Sequence, residues 1–312
     1  MSGVRCSDEV AEAIAQHRPV VALESTIFST LGLPTPHNVD AQARCEAAIR
    51  AAGAVPAMCA VLDGEPRVGL TPAEVGRVLQ GEVKVAERDL GAAVATGLAV
   101  GVTTVSATLA LCSAAGLAVF ATGGMGGVHR GVSESGDVSA DVWALTRHRV
   151  VLVTAGAKAV LDLARTLELL ESLSVPVIGL GTSELPAFYS RSSGLALPHR
   201  VETAAEVAQV AQASWAMGWG GGLVLANPVP AEAEVPSSEL EPVIVAAVAE
   251  ARAAAVTGPA VTPFLLARVV EATGGRGLGA NVALAEHNAA VGAEIATALG
   301  GRDGRSGHVA FA

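Results

Sequence analysis

Residues 149–171 read RVVLVTAGAKAVLDLARTLELLE, an apolar β-branched run that gives way to leucines at helical spacing. The opening run has no alternation of apolar and polar positions. It therefore predicts a strand buried on both faces, as in a parallel sheet, rather than one with a wet side. The same pattern continues outward in both directions. Strands are expected over 19–23, 55–62, 117–121, 149–154, 175–179 and 222–226, with helices near 39–52, 71–79, 103–115, 157–171 and 201–217. Asn38 is a candidate N-cap for the first of these helices, and Gly53 sits just beyond its end. From about 237 to 299 the chain reads as three helices, separated by Gly258-Pro259 and by the glycines of 274–279. Alternating strands and helices predict an α/β fold: three layers, α/β/α, around a mainly parallel central sheet.

No internal repeat is visible, and no linker divides the chain, so 1–312 is expected to form a single domain. The stretches 183–200 and 227–238 carry the Ser, Pro and Gly content of loops, and the tail 300–312 is polar and glycine-rich.

Half of the residues (51%) are hydrophobic but only 3% are aromatic, so Ala, Val, Leu and Gly must build the core. The formal net charge of −10 leaves no basic surface of the kind a nucleic-acid partner requires. An anionic substrate would have to be held by a few local cations and backbone amides. The four cysteines (Cys6, Cys45, Cys59 and Cys112) form no C-x-x-C pair, and free thiols in a reducing compartment account for them. The start MSGVRCSDEV lacks a signal-peptide core, and the apolar runs 149–155 and 221–226 are too short to cross a bilayer. Together these features point to the cytoplasm and to no membrane partner.

One count stands out. The chain has two lysines, Lys84 and Lys158, against eighteen arginines. Arginine serves wherever a fixed charge is needed, but it cannot act as a nucleophilic amine. Lys158 lies directly after the predicted strand 149–154 and Gly156, at the expected start of a helix. Partial burial and a helix N-terminus both disfavour an ammonium, so the position suits a Schiff-base nucleophile. The alternative is a surface lysine at a helix start.

In open α/β sheets, ligands collect beyond the carboxyl ends of the strands. Glu24-Ser25-Thr26 follows the strand 19–23, and a carboxylate behind a doubly buried strand is costly unless it is paired or acts as an acid. The run TGGMGGVHRG (122–131) follows the strand 117–121, and its glycines with His129 and Arg130 suit a sugar phosphate. Neither the dinucleotide fingerprint nor the P-loop matches it, and a plain flexible loop is the alternative. In SGDVSAD (135–141), Asp137 and Asp141 stand four apart around Ser139. They either share a helix face that holds a hard cation, or simply mark a capped helix start. Lys84 either pairs with Glu82, Glu87 or Asp89 at the surface or reaches a phosphate. Asn281 either bonds a ligand or caps a helix.

Taken as a set, the stretches VVALESTI (20–27), KVAERDL (84–90), TTVSATL (103–109), FATGGMGGVHRG (120–131), DVSAD (137–141), TAGAKAVLDL (154–163), GGGLVLANPVP (220–230) and TPFLLARVVEATGG (262–275) resemble the pseudouridine-5'-phosphate glycosidase family, which includes indigoidine synthase A-like proteins. The resemblance runs from about residue 10 to 297. It implies Lys158 as a nucleophile that forms an imine with C1' of the opened ribose, and Glu24 as proton donor. It also implies Asp137 as the holder of Mn²⁺, largely through waters. Substrate contacts would come from Lys84, Val105, Thr122, His129, Arg130, Ser139, Ala140, Asp141 and Asn281. A homotrimer with an α/β/α core, acting on a small-molecule substrate, is implied as well. The products would be uracil and ribose 5-phosphate. A C–C glycosidic bond has a carbon leaving group, which the carboxylate pair of ordinary glycosidases cannot expel, so an amine is required.

Two departures accompany the resemblance. After ESTI, a Ser-His-Gly run is replaced by Phe28-Ser29-Thr30-Leu31-Gly32-Leu33-Pro34, and Glu87 stands where a basic residue is common. Other readings are a different Schiff-base lyase for sugar phosphates and a non-catalytic sugar-phosphate sensor.

Overall fold

The computed structural model describes residues 3–256, 258 and 261–300. Its strands are β1 (Arg5–Cys6), β2 (Val20–Leu23), β3 (Val55–Leu62), β4 (Glu65–Val68), β5 (Lys84–Val85), β6 (Val100–Thr103), β7 (Val119–Ala121), β8 (Val151–Thr154), β9 (Val177–Leu180), β10 (His199–Val201) and β11 (Leu223–Ala226). The helices are α1 (Asp8–Ala15), α2 (His37–Ala51), α3 (Pro72–Leu79), α4 (Leu90–Ala95), α5 (Val105–Ala115), α6 (Val132–Ser135), α7 (Ala140–Ala144), α8 (Leu163–Ser172), α9 (Ala204–Ala216), α10 (Ser237–Ala253), α11 (Val261–Ala272) and α12 (Arg276–Gly300).

The sheet runs β1-β4-β3-β2-β7-β8-β11-β9-β10. Every pairing is parallel except those that β3 makes with β4 and β6. β3 is long enough to serve two neighbours on one edge. Val55–Met58 pair with β2, and Ala60–Leu62 pair with β6, which brings β5 and Lys84 into the sheet.

Side chains of the central strands alternate between two cores, as the two-residue period of a strand demands. Val21 and Leu23 of β2, Val151 and Val153 of β8, and Leu223 and Leu225 of β11 join one core with residues of α2, α9 and α12. Val20, Ala22, Leu152, Val224 and Ala226 join the other with α1, α5, α7 and α8. Three layers, α/β/α, follow from that alternation.

All six expected strands form: 55–62 with the expected bounds, 175–179 shifted to Val177–Leu180, and the other four shortened at their first residues. The five further strands are short or lie at the edge of the sheet, where the apolar signal is weak. Asn38 is not a cap: it lies inside α2, wholly buried, and its amide donates to the carbonyls of Phe28 and Leu79 at 3.1 Å each. The glycines of 274–279 separate the last helices only in part, since α12 begins at Arg276. The four cysteines are free thiols. The tail 301–312 lies outside the described residues. Among those described, no helix is long and apolar enough to cross a membrane.

Candidate active site

The carboxyl ends of β2, β6, β7 and β8 open on a cavity of about 280 Å³ whose walls include Glu24, Thr26, Lys84, Thr104, Val105, Ser106, Gly126, His129, Asp137, Ser139, Ala140, Asp141 and Lys158. A narrow extension of about 50 Å³ continues past Glu24, Lys84 and Lys158 to Ile27, Leu31, Gly32, Phe188 and Asn281. Both lysines of the chain therefore face one space.

Lys158 does not open a helix. The chain beyond β8 turns at Gly156, whose φ of +87° is a left-handed conformation that suits glycine. A Cβ there would also collide with the carbonyl oxygen of Pro186. Ala157 then bridges to Met125 in the glycine run, and the Lys158 amide donates to the Met125 carbonyl at 3.0 Å. The helix starts only at Leu163, because Asp162 is the residue that caps it, accepting from the Arg165 amide at 3.0 Å. The helix-dipole argument made from sequence thus does not apply to Lys158. Its position comes instead from an extended segment stitched to the glycine run.

Glu24 is 4% exposed, and its Oε1 accepts a hydrogen bond from the Thr122 hydroxyl. Burial pushes its carboxyl above the ordinary carboxylate range, more strongly than the charge of Lys158 and the Thr122 bond pull it down. Burial, reinforced by the charge of Lys158, holds Lys84 below the usual lysine range. Neither lysine forms an ion pair among the described residues, so Lys84 is not engaged by Glu82, Glu87 or Asp89. Burial likewise lowers His129, against the pull of Asp137, whose Oδ2 is 3.9 Å from His129 Nδ1.

The two aspartates do not share a helix face. Asp137 precedes α7, beside a bridge between Val128 and Val138. Ser139 is the N-cap of α7, accepting from the Asp141 amide at 3.2 Å. Asp141 is buried, and its carboxylate takes the backbone N–H groups of Ser106 and Gly126, each at 2.9 Å. It fastens the first turn of α5 to the glycine run. Of the carboxylates lining the cavity, Asp137 is the one whose carboxylate oxygens accept no hydrogen bond among the described residues, with His129 Nδ1 3.9 Å away. Among the described residues no three His, Cys, Asp or Glu side chains converge on a point, which rules out a zinc-type ligand set there. One carboxylate beside open space fits a hard cation that keeps most of its waters.

Arg130 lies away from the two lysines. Its guanidinium grips Glu241 through two bonds of 2.7 and 2.9 Å, and it lines an adjoining recess of about 470 Å³ that shares His129 and Asp137 with the cavity but contains neither lysine. Glu87, the charge-reversed position, is matched locally. Arg147 Nη2 lies 2.5 Å and His148 Nε2 2.9 Å from its carboxylate. Burial works against that charge, but the two bonds hold Glu87 below the usual range. In the altered segment 28–34, Leu31 and Gly32 line the narrow extension.

Two features escape the sequence. Phe188 is buried, has φ +64°, and lays its ring on Gly124, where a side chain would overlap it. A non-glycine residue in that region is strained and is commonly held so at a functional site. Ser106 lines the cavity and bonds the Glu87 amide at 3.2 Å. Nothing local in the sequence marks either one.

The family profile of indigoidine synthase A like protein matches residues 9–298. Similar curated proteins include a pseudouridine-5'-phosphate glycosidase of Nocardioides sp., 50% identical over 95% of this chain and 96% of the relative. Another, from Deinococcus radiodurans, is 49% identical over 92% of each. Among solved structures, the prealnumycin C-glycosynthase AlnA in complex with ribulose 5-phosphate superimposes with a TM-score of 0.88 at 35% identity, covering 96% of this chain and 97% of that one. An indigoidine synthase A-like protein of Thermotoga maritima gives 0.86 at 36% identity, covering 95% and 96%. With the profile spanning nearly the whole length and relatives at half identity, the chain belongs to the indigoidine synthase A like family.

Proposed function

We propose that this protein reversibly cleaves the C–C glycosidic bond of pseudouridine 5'-phosphate, giving uracil and ribose 5-phosphate. The observation that carries the reading is a single cavity lined by Lys158, the buried acid Glu24 and Asn281, whose Oδ1 is buried with no hydrogen-bond partner. A buried orphan acceptor costs about 1–3 kcal/mol and calls for a donor from a ligand, here an N–H of the base. The apolar side chains of Ile27, Leu31 and Phe188 would flank that planar ring.

Glu24, kept protonated by burial, gives its proton to the ring oxygen as C1'–O4' breaks. The Lys158 amine adds to C1'. The Glu24 carboxylate takes a proton from the ammonium formed by that addition and passes it to the uracil carbon, and the C1'–C bond then breaks: the nitrogen lone pair forms the imine, and the bonding pair leaves with uracil. Water adds to the imine carbon, releases ribose 5-phosphate and restores the amine, so each turnover consumes one water. The phosphate would lie near Lys84 and His129, at the α5 N-terminus where Val105 faces the cavity. Ser139 and Ala140 complete the enclosure, Thr122 acts through its bond to Glu24, Asp141 acts through the backbone, and Arg130 would need to leave Glu241 to take part. A divalent cation such as Mn²⁺ at Asp137 would supply positive charge beside the substrate. We read the chain as one catalytic domain of a cytoplasmic homotrimer, which sedimentation would test.

A second reading keeps the same lysine with a different carbon partner. The C-glycosynthase neighbour, whose structure holds a pentulose phosphate, favours it. Loss of pseudouridine 5'-phosphate absorbance with release of uracil separates the two. Borohydride reduction with ribose 5-phosphate, followed by peptide mapping, should mark Lys158. A label elsewhere, or none, would refute the imine.

A further inference from the structure

The face of α12 that meets the sheet is apolar, with Leu284, Ala285 and Ala289 in the core and Gly292 against Val21 and Ala121. Asn288 interrupts it, fully buried. An amide in such a place is costly unless every polar atom is bonded, whereas a leucine there would simply pack. Asn288 is bonded on both sides. Its Nδ2 donates to the carbonyl of Thr122 at 2.7 Å and more weakly to that of Gly123 at 3.4 Å. Its Oδ1 accepts from Nδ2 of Asn227 at 2.8 Å. The amide has one workable orientation, since the two carbonyls can only accept.

Asn227 is anchored in turn. It follows β11, is 3% exposed, and its backbone N–H donates to the Thr154 carbonyl at 2.9 Å. Thr122 is held from its other side, where its N–H donates to the Val153 carbonyl at 3.0 Å. The ends of β7, β8 and β11 are thus tied to α12 at the residue whose hydroxyl bonds Glu24. We infer that Asn288, supported by Asn227, is a positioning residue: it fixes the Thr122 backbone so that the Thr122 hydroxyl stays on the Glu24 carboxyl. This rests on the proposed function only for why Glu24 matters. The tie itself is independent of it. Asn281 lies seven residues earlier, on the same side of α12. One helix then serves both the ligand and the acid.

The groups acting electrostatically on Glu24 are Lys158, Lys84 and Asp141, and none of them is touched by changing Asn288. The test is a carbon-13 titration of the glutamate carboxyls, with the Glu24 signal assigned by its loss in Glu24→Gln. Because the Thr122 bond favours the carboxylate, Asn288→Leu should move the Glu24 titration upward in pH. Asn227→Ser, which leaves Asn288 in place but removes its donor, should move it the same way and serves if the first variant does not fold. Thr122→Val should shift it upward too, and adding Asn227→Ser to Thr122→Val should shift it no further. In turnover, the Asn variants should lose roughly tenfold or more in kcat with little change in KM, as for a misplaced catalytic group. A Glu24 titration that stays put in Asn227→Ser and in every folded Asn288 variant, or shifts that add to that of Thr122→Val, would overturn the inference. If the titrations move as expected but no variant, nor the parent, releases uracil, the tie stands and the proposed function falls.

Discussion

The hydroxyl of Thr122 reaches Oε1 of Glu24 across 98 positions of sequence, joining the end of β7 to the end of β2 inside the buried rim of the sheet. That bond and burial pull the carboxyl in opposite directions, and burial prevails. An acid with a raised pKa stays protonated, and so able to donate, to a higher pH than a free glutamate. The activity limb governed by Glu24 should therefore be high below that pKa and fall as pH rises through it. Thr122→Val should displace the limb to higher pH, and Glu24→Gln should erase it while lowering kcat by about 10²–10⁴-fold. Both are read from uracil release across a pH series, and a limb that survives Glu24→Gln belongs to another group.

Lys158→Arg keeps the charge and removes the nucleophile. Turnover should drop to background while ribose 5-phosphate still binds, measurable by calorimetry, since arginine cannot form the imine. Lys84→Gln should act on KM instead. With Lys84 held below the usual lysine range, phosphate affinity should be retained while that amine is charged and weaken as pH rises, sooner than for an ordinary lysine. A KM independent of pH in the alkaline range would speak against Lys84 as the phosphate partner.

Gly156→Ala should be damaging out of proportion to its size. The left-handed backbone and the Pro186 carbonyl both oppose a side chain, with a cost of about 1–3 kcal/mol. The strain falls two residues before Lys158, so kcat should decline along with thermal stability. A variant with parental melting and turnover would show that the segment can relax.

Asp137→Ala should abolish binding of Mn²⁺, followed by the paramagnetic resonance of the free ion, and lower activity in parallel. Exhaustive chelation that leaves turnover unchanged would argue against any metal role.

Glu87→Lys should destabilise the fold by about 1 kcal/mol, a modest figure because Arg147 is half-exposed. The new lysine and Arg147 would then place two cations side by side where Glu87 now pairs with Arg147. Calorimetric melting checks this, and the paired change Arg147→Glu should restore much of the loss.

The central strands were legible because each is a doubly buried apolar run with nothing else to be. β5 and β10 were not, since two- and three-residue pairings such as Lys84–Val85 depend on neighbours far along the chain. Lys158 stands out by composition and by its place after a strand, Glu24 by its place after a strand, and Asp137 by its spacing from Asp141; the fold brings all three to one cavity. The setting of Lys158 differs from the expected one because the helix starts at Leu163, six positions later than the helical pattern suggests, capped by Asp162. Asp141 looked like a partner of Asp137 by spacing, but its two amide bonds come from Ser106 and Gly126, which only the folded chain brings to it. Phe188 and Asn288 carried no sequence signal, because a backbone dihedral and a cross-helix amide bond leave no local pattern.

The two amines of this chain's side chains open onto one chamber, and the exterior carries its positive charge on guanidinium groups. A reagent that acylates ε-amino groups would thus meet only residues inside that chamber. Acetylation of either one, by chemistry or by a cellular acyl donor, would register directly as lost turnover instead of diffuse surface change, and bound sugar phosphate should shield both at once.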